Sequence, residues 1–167
     1  VITDGYLYDM YELPGLKLDQ PWWDHYINDA LELNGHLYAA SSPLQLQTLD
    51  MSDVLLFNEK MFTNMGMDFP YQLVRDGKWT MDKMKEMYTG VSKDVNGDGK
   101  MGAEDLWGFL GGTDVSPCFY IGGGGTVVSR DKDGRLYDSL GSDKNFAIIE
   151  KVQTIMTDED NFYNHHL

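Results

Sequence analysis

The sequence predicts an α/β or α+β protein on three observations. Apolar residues recur at three- and four-residue spacing in two segments, 80–92 and 142–157. Short apolar runs bounded by turn residues, such as "VLLFN" and "WGFLGG", alternate with them. A turn at Asp131-Lys132-Asp133-Gly134 separates two further strand-like runs. Alternating helices and strands with one added hairpin favour mixed layers over a sandwich or a helix bundle.

Taken in order, residues 1–20 alternate apolar and polar side chains and break at Pro14-Gly15, as a short strand or helix end before a loop does. "LKLDQPWWDHYINDAL" begins as a loop, with Pro21 near the start of a short helix. Asn34-Gly35 marks a tight turn into "HLYAA", a candidate buried strand. "SSPLQLQTLDMSD" is a polar connection, and "VLLFN" (54–58) reads as a second strand. "EKMFTNMG" is a helix stopped by Gly66. In 80–92, Thr80 is the N-cap, Asp82 favours the positive helix end, and Met81, Met84, Tyr88 and Val91 share one face. "WGFLGG" is a strand, "SPCFYIGGGG" a short helix capped by glycines, and "TVVSRDKDGRLYD" the hairpin. Ser142 caps the last helix, whose stripe is Phe146, Ile149, Val152 and Ile155.

The 167 residues suffice for a real core, and 42% hydrophobic with 13% aromatic residues argue against disorder. Thirteen Lys and Arg stand against 27 Asp and Glu, a formal charge of -14, which repels phosphate backbones and excludes nucleic acid as an expected partner. The lone Cys118 excludes an intramolecular disulfide and a Cys-based zinc cluster, and reads as a small buried apolar residue. No run reaches the roughly 20 apolar residues of a membrane span. "VITDGYLYDM" has neither the basic start nor the apolar core of a signal peptide and lacks an initiator Met, so a mature form or excised fragment is expected.

The strongest chemical motif is "DVNGDGKMGAED", residues 94–105. With Asp94 as position one, Asn96, Asp98, Lys100 and Asp105 occupy positions three, five, seven and twelve, and Gly99 position six. Calcium takes six to eight hard oxygens, so alternate residues of a tight turn must converge on one point. Position seven contributes only its carbonyl, so Lys100 can point outward, and Gly99 supplies the positive φ that the turn requires. Met101 at position eight is expected to anchor the loop to the core. Position twelve is Asp where a Glu is usual, and Gly102 at position nine leaves its ligand place to water. A structural calcium ion is therefore expected, tying helix 80–92 to the following strand. The competing reading is a solvated Asx-rich turn.

Other motifs are weaker. The glycine run 122–125 lacks the Gly-Lys-Ser/Thr ending of a phosphate loop and reads as a turn. His25, His36, His165 and His166 accompany no nucleophile or zinc-helix motif, and the terminal pair reads as a surface tail. Trp22, Trp23, Trp79, Trp107 and ten tyrosines offer faces for sugar stacking, although most aromatics serve a core.

Several blocks stand in a telling order: "LDQPWWDHYINDALELNGHLYAASS", "VLLFNEKMF", "PYQLVRDGKWTMDKMKEMYTGVSKDVNGDGKMGAEDLWGF" and "DKDGRLYD". The order resembles the extracellular solute-binding proteins of family 1, the sugar-type receptors of bacterial ABC importers. Trp22-Trp23-Asp24, Gly35 to Tyr38, Phe57 to Lys60, Gly77 to Thr80 and Asp94 to Trp107 carry the likeness along nearly the whole chain.

The resemblance implies a type II periplasmic-binding fold of two α/β lobes. Residues 1–45 would be the tail of the first lobe with the hinge crossing, and 46–167 most of the second lobe. It implies an extracytoplasmic receptor, cell-surface lipoprotein or periplasmic, that closes on a small molecule, an oligosaccharide by class, without catalysis. The receptor would then dock to an ABC permease. It would meet the membrane only through a lipid anchor that this segment lacks. Implied ligand contacts are Ser41, Ser42 and Gln45 at the crossing, with Asp114, Ser116 and Tyr120 after the strand at 107–111. The loop also resembles that of dockerins, which tolerate Asp at position twelve but carry two repeats. Two other classes stay open: a calcium-stabilised glycoside-active enzyme, which needs two carboxylates flanking a cleft, and a cohesion module, which calls for a second loop.

Overall fold

A computed structural model describes residues 4–46, 50 and 52–165. The chain divides into two compact units, Val1–Leu55 and Leu56–Leu167.

In the first unit Asp9 organises the start. Its Oδ1 accepts the Tyr11 N–H at 3.0 Å, capping a 3-10 turn at Met10–Glu12, and the Leu37 N–H at 3.1 Å. Its Oδ2 meets His36 Nδ1 at 2.7 Å. Helix α1 (His25–Leu31) is capped by Asp24, whose Oδ1 accepts from Ile27 N–H. Asn34 and Gly35 both have positive φ, and the tight turn they form closes with paired Leu33–His36 backbone bonds. Leu37, fully buried, fills the centre. "HLYAA" is not the expected strand: after the bridge at His36 no ladder continues. A strand needs a hydrogen-bonded neighbour, and the described residues supply none here.

"VLLFN", which straddles the division at Leu55 and Leu56, likewise has no ladder; Leu56 is 90% exposed. Its end serves the next helix, because Asn58 Oδ1 caps α2 (Glu59–Asn64), which Gly66 stops with φ 67°. Phe57, Phe62, Phe69 and Tyr71 form an aromatic cluster with centroids 5.0–6.2 Å apart, at the foot of α3 (Tyr71–Arg75), an element the sequence pattern does not announce. Helix α4 (Met81–Tyr88) starts at Thr80 as expected, its Oγ1 accepting from Lys83 N–H. Met84, Tyr88 and Val91 are buried, with Met81 packed beside them.

Strand β1 (Phe109–Gly111) pairs in parallel with β4 (Phe162–Asn164), in the register Phe109 to Phe162. The crossover between them holds α5 (Val115–Gly122), the hairpin β2 (Val128–Arg130) and β3 (Leu136–Asp138), and α6 (Asp143–Met156). Parallel strands require such a crossover. The core joins Met84, Tyr88 and Ile155 to Trp79, Met81, Phe109 and Phe119. The buried face of α6 is Asn145, Ile148, Val152 and Ile155. Phe146, 55% exposed, and Ile149 turn outward, so the expected stripe is rotated. Asn145 accounts for the rotation. Its Nδ2 donates to the carbonyls of Thr126 and Ser139 (2.7 and 2.6 Å), and its Oδ1 accepts from Thr126 N–H, so a polar side chain holds the buried face.

Candidate functional site

The acidic loop is a polar constellation closed by its own hydrogen bonds in the second unit. An antiparallel bridge, Lys93 N–H to Leu106 O at 2.8 Å and the reverse at 3.1 Å, clamps its two ends. Inside, every side chain at a proposed side-chain ligand position folds back on the backbone. Asp94 accepts from Gly97 and Gly99 N–H at 2.6 and 2.9 Å, Asn96 from Asp98, and Asp98 from Lys100, both at 2.9 Å. Asp105 spans the loop, taking Val95 N–H on Oδ1 and Gly102 N–H on Oδ2. The Val95 and Gly102 bonds hold the Asp105 carboxyl below its ordinary pKa against a small opposing burial effect. Gly97 and Gly99 take φ of 78° and 79°, which an L side chain resists.

All five positions, Asp94, Asn96, Asp98, the Lys100 carbonyl and Asp105, offer hard oxygen, the chemistry calcium takes. A carboxylate oxygen that accepts one N–H keeps a lone pair for a cation. Among the described residues no group of three or more His, Cys, Asp or Glu side chains is gathered closely enough to hold a metal. Without a counter-charge, three carboxylates in one loop repel. Met101, 37% exposed, does not anchor the loop. Trp107 does: it is buried, and its Nε1 donates to the Gly102 carbonyl at 2.7 Å.

Asp114 and Ser116 lie at the carboxyl end of β1, where α5 begins. That end of a parallel sheet is where ligands of open α/β folds sit. Asp114 is exposed and occupies the N-cap position without capping α5, and Ser116 is half-buried. His165 N–H bonds the Gly111 carbonyl at the same end, while His166 lies outside the described residues. Tyr120 is placed differently. Its hydroxyl donates to the Thr126 carbonyl at 3.0 Å, and a Cβ on Gly125 would stand 2.5 Å from its Cζ. The glycine run is thus a packing device; a Cβ at Gly123 would press on Ile148 at 3.0 Å. Cys118 is half-buried, not buried.

Ser41, Ser42 and Gln45 belong to the first unit. Ser41 N–H donates to Asn28 Oδ1 at 2.6 Å, and its carbonyl accepts from Asp24 N–H. Ser42 is buried and its Oγ accepts from Leu44 N–H, whereas Gln45 is exposed. These three serve a backbone turn. Beside it opens a cleft of about 490 Å³, bounded by α1 and the segment 16–19. A second cleft, about 760 Å³, lies in the second unit among Met65, Phe69, Leu73 and Met87.

Comparison with protein-family models, curated proteins and solved structures gave no match. Sequence reasoning missed the roles of Asn28 and Asn145, and took Trp107 as a stacking face and not as the anchor of the loop. Asn145 had a signal, an amide at helical spacing to Ile148, Val152 and Ile155, and so did Trp107, a tryptophan two residues past the loop; Asn28, spaced to Asp24, His25 and Glu32, had none.

Proposed function

We propose that the chain is the central part of an extracytoplasmic receptor that binds a small, polyhydroxylated solute without chemistry and delivers it to an ABC permease. The observation that carries this reading is the collinear order of sequence blocks from Trp22 to Asp138. The β1–β4 parallel pair supports it, because the proposed contacts Asp114 and Ser116 fall at the carboxyl end of the sheet. Acidic charge suits a neutral or cationic solute. Ser41, Ser42, Gln45 and Tyr120 are the further proposed contacts, of which Ser42 and Tyr120 also hold backbone in place.

Calcium is the proposed structural cofactor. Asp94, Asn96, Asp98 and Asp105 would hold it through side-chain oxygens and Lys100 through its carbonyl. The ion would neutralise the loop and brace the step from α4 to β1.

The test is calorimetry of the full-length protein against a panel of oligosaccharides. A saturable heat that Asp114→Ala weakens, with no product formed, is the expected outcome. Unchanged affinity in Asp114→Ala removes that residue from the site.

A further inference from the structure

Two asparagines of the chain stand directly before a glycine, Asn34 and Asn96. At such a step the backbone nitrogen of the following residue can attack the side-chain carboxamide, and glycine, without a Cβ, obstructs the approach least. Asn34, Gly35, Asn96 and Gly97 are all exposed, and both glycines take positive φ, 82° and 78°. Access of water and glycine conformation therefore do not distinguish the two steps. Their hydrogen bonds do.

In the acidic loop, Gly97 N–H donates to Asp94 Oδ1 at 2.6 Å, and Asn96 Oδ1 accepts from Asp98 N–H at 2.9 Å. A carboxylate thus holds the proton that the nucleophile must lose, and opposes its loss. The carboxamide is tied to the backbone two residues on. Attack has to break the first bond and turn the carboxamide out of the second. In the first unit the Asn34–Gly35 turn is closed from outside, by Leu33 N–H to His36 O at 2.8 Å and His36 N–H to Leu33 O at 3.0 Å. Among the described residues, neither the Asn34 carboxamide nor Gly35 N–H has a hydrogen-bond partner.

We propose that Asn34 is a site of spontaneous deamidation, and that the acidic loop shields Asn96 from the same reaction. The Gly35 nitrogen gives its proton to solvent base and bonds to Asn34 Cγ, and ammonia leaves. Water then opens the five-membered imide at either carbonyl, to aspartate or to isoaspartate. Amide and water go in; acid and ammonia come out, with no redox change. An isoaspartate there adds a backbone carbon to a two-residue turn that Asp9 fastens through His36 and Leu37. The reaction needs neither a ligand nor calcium, so it is independent of the receptor reading.

The experiment ages the chain in mildly alkaline buffer with chelator, folded and in urea, and follows each step by peptide mass mapping. Reversed-phase separation distinguishes isoaspartate from aspartate. Folded, Asn34 should convert about tenfold or more faster than Asn96, the share of one hydrogen bond to a carboxylate. In urea the two should convert at comparable rates. Asp94→Ala, which removes the acceptor of Gly97 N–H, should speed Asn96 and leave Asn34 unchanged. Equal rates in the folded chain overturn the proposal. So does the same ratio in urea, which would trace the difference to neighbours in sequence and not to the fold, and so does an unaltered Asn96 rate in folded Asp94→Ala. If circular dichroism shows that Asp94→Ala does not fold, the comparison of folded chain with urea decides alone.

Discussion

Asp98→Ala with and without calcium separates the ion's contribution from that of the loop's own hydrogen bonds. Without calcium the substitution removes one exposed bond, Lys100 N–H to Asp98 Oδ1 at 2.9 Å, a loss of about 0.5–1 kcal/mol. With calcium it also removes one of five ligand groups and one of three carboxylates. If the loop binds as single extracellular calcium modules do, with Kd of about 10⁻⁴ M, then roughly 10 mM calcium is a hundredfold excess and stabilises by about 2.7 kcal/mol. For a domain of roughly 110 residues that raises Tm by about 10 °C. Weakening Kd a hundredfold leaves a rise of only about 1–2 °C in Asp98→Ala. Lys100→Ala, whose carbonyl alone is used, should keep the full rise. Differential scanning calorimetry with chelator, magnesium and calcium arms reads all three. Magnesium should do less, since it demands tighter octahedral geometry. No calcium shift in the native chain, or the same shift in Asp98→Ala, refutes the calcium assignment.

Asn145→Ala should cost about 2–3 kcal/mol by urea unfolding: Thr126 N–H is orphaned, while the Thr126 and Ser139 carbonyls keep the Tyr120 and Ser142 donors. Asn145→Asp, which sets a carboxylate against those two carbonyls, should cost more. Gly108→Ala places a Cβ 2.3 Å from the Tyr88 carbonyl oxygen, a backbone atom that cannot swing away, so a loss of about 2 kcal/mol or more is expected in the same assay. Asp158 feels burial, which raises its pKa, but Asn161 and Lys85 outweigh it and hold it below 3.8. Its stabilisation is therefore complete above that value and fades as pH falls through the lowered folded pKa, so the Tm gap between native chain and Asp158→Asn should shrink on acidification.

The helices were legible where local chemistry decides. Thr80 and Ser142 sit at their caps, and Met84 and Tyr88 at helical spacing are buried; Val91 is buried too, but past the helix, which ends at Tyr88 and not at the expected 92. The hairpin around Asp131 was legible for the same reason: its side chain accepts from Asp133 and Arg135 N–H within the turn. What failed depended on partners distant in sequence. "HLYAA" and "VLLFN" have strand composition but no neighbour, and Phe162–Asn164 is a strand only because Phe109 lies beside it. The face of α6 was misread because a hydrophobic criterion cannot choose Asn145 over Phe146. Of the candidate sites, the acidic loop was legible as a local structure because the bonds that close it lie within twelve residues; whether it holds an ion is for the calcium titration to decide. The first-unit cleft was not, because Tyr11, Asp19, Asn28 and Leu37 meet only through the turn that Asp9 fastens to Leu37.

Titration of the full-length protein with oligosaccharides, followed by chromatography of the mixture, bears most directly on the receptor reading. Saturable binding with the sugar recovered intact is the predicted result. Steady release of shorter sugars would contradict it and make the chain part of an enzyme.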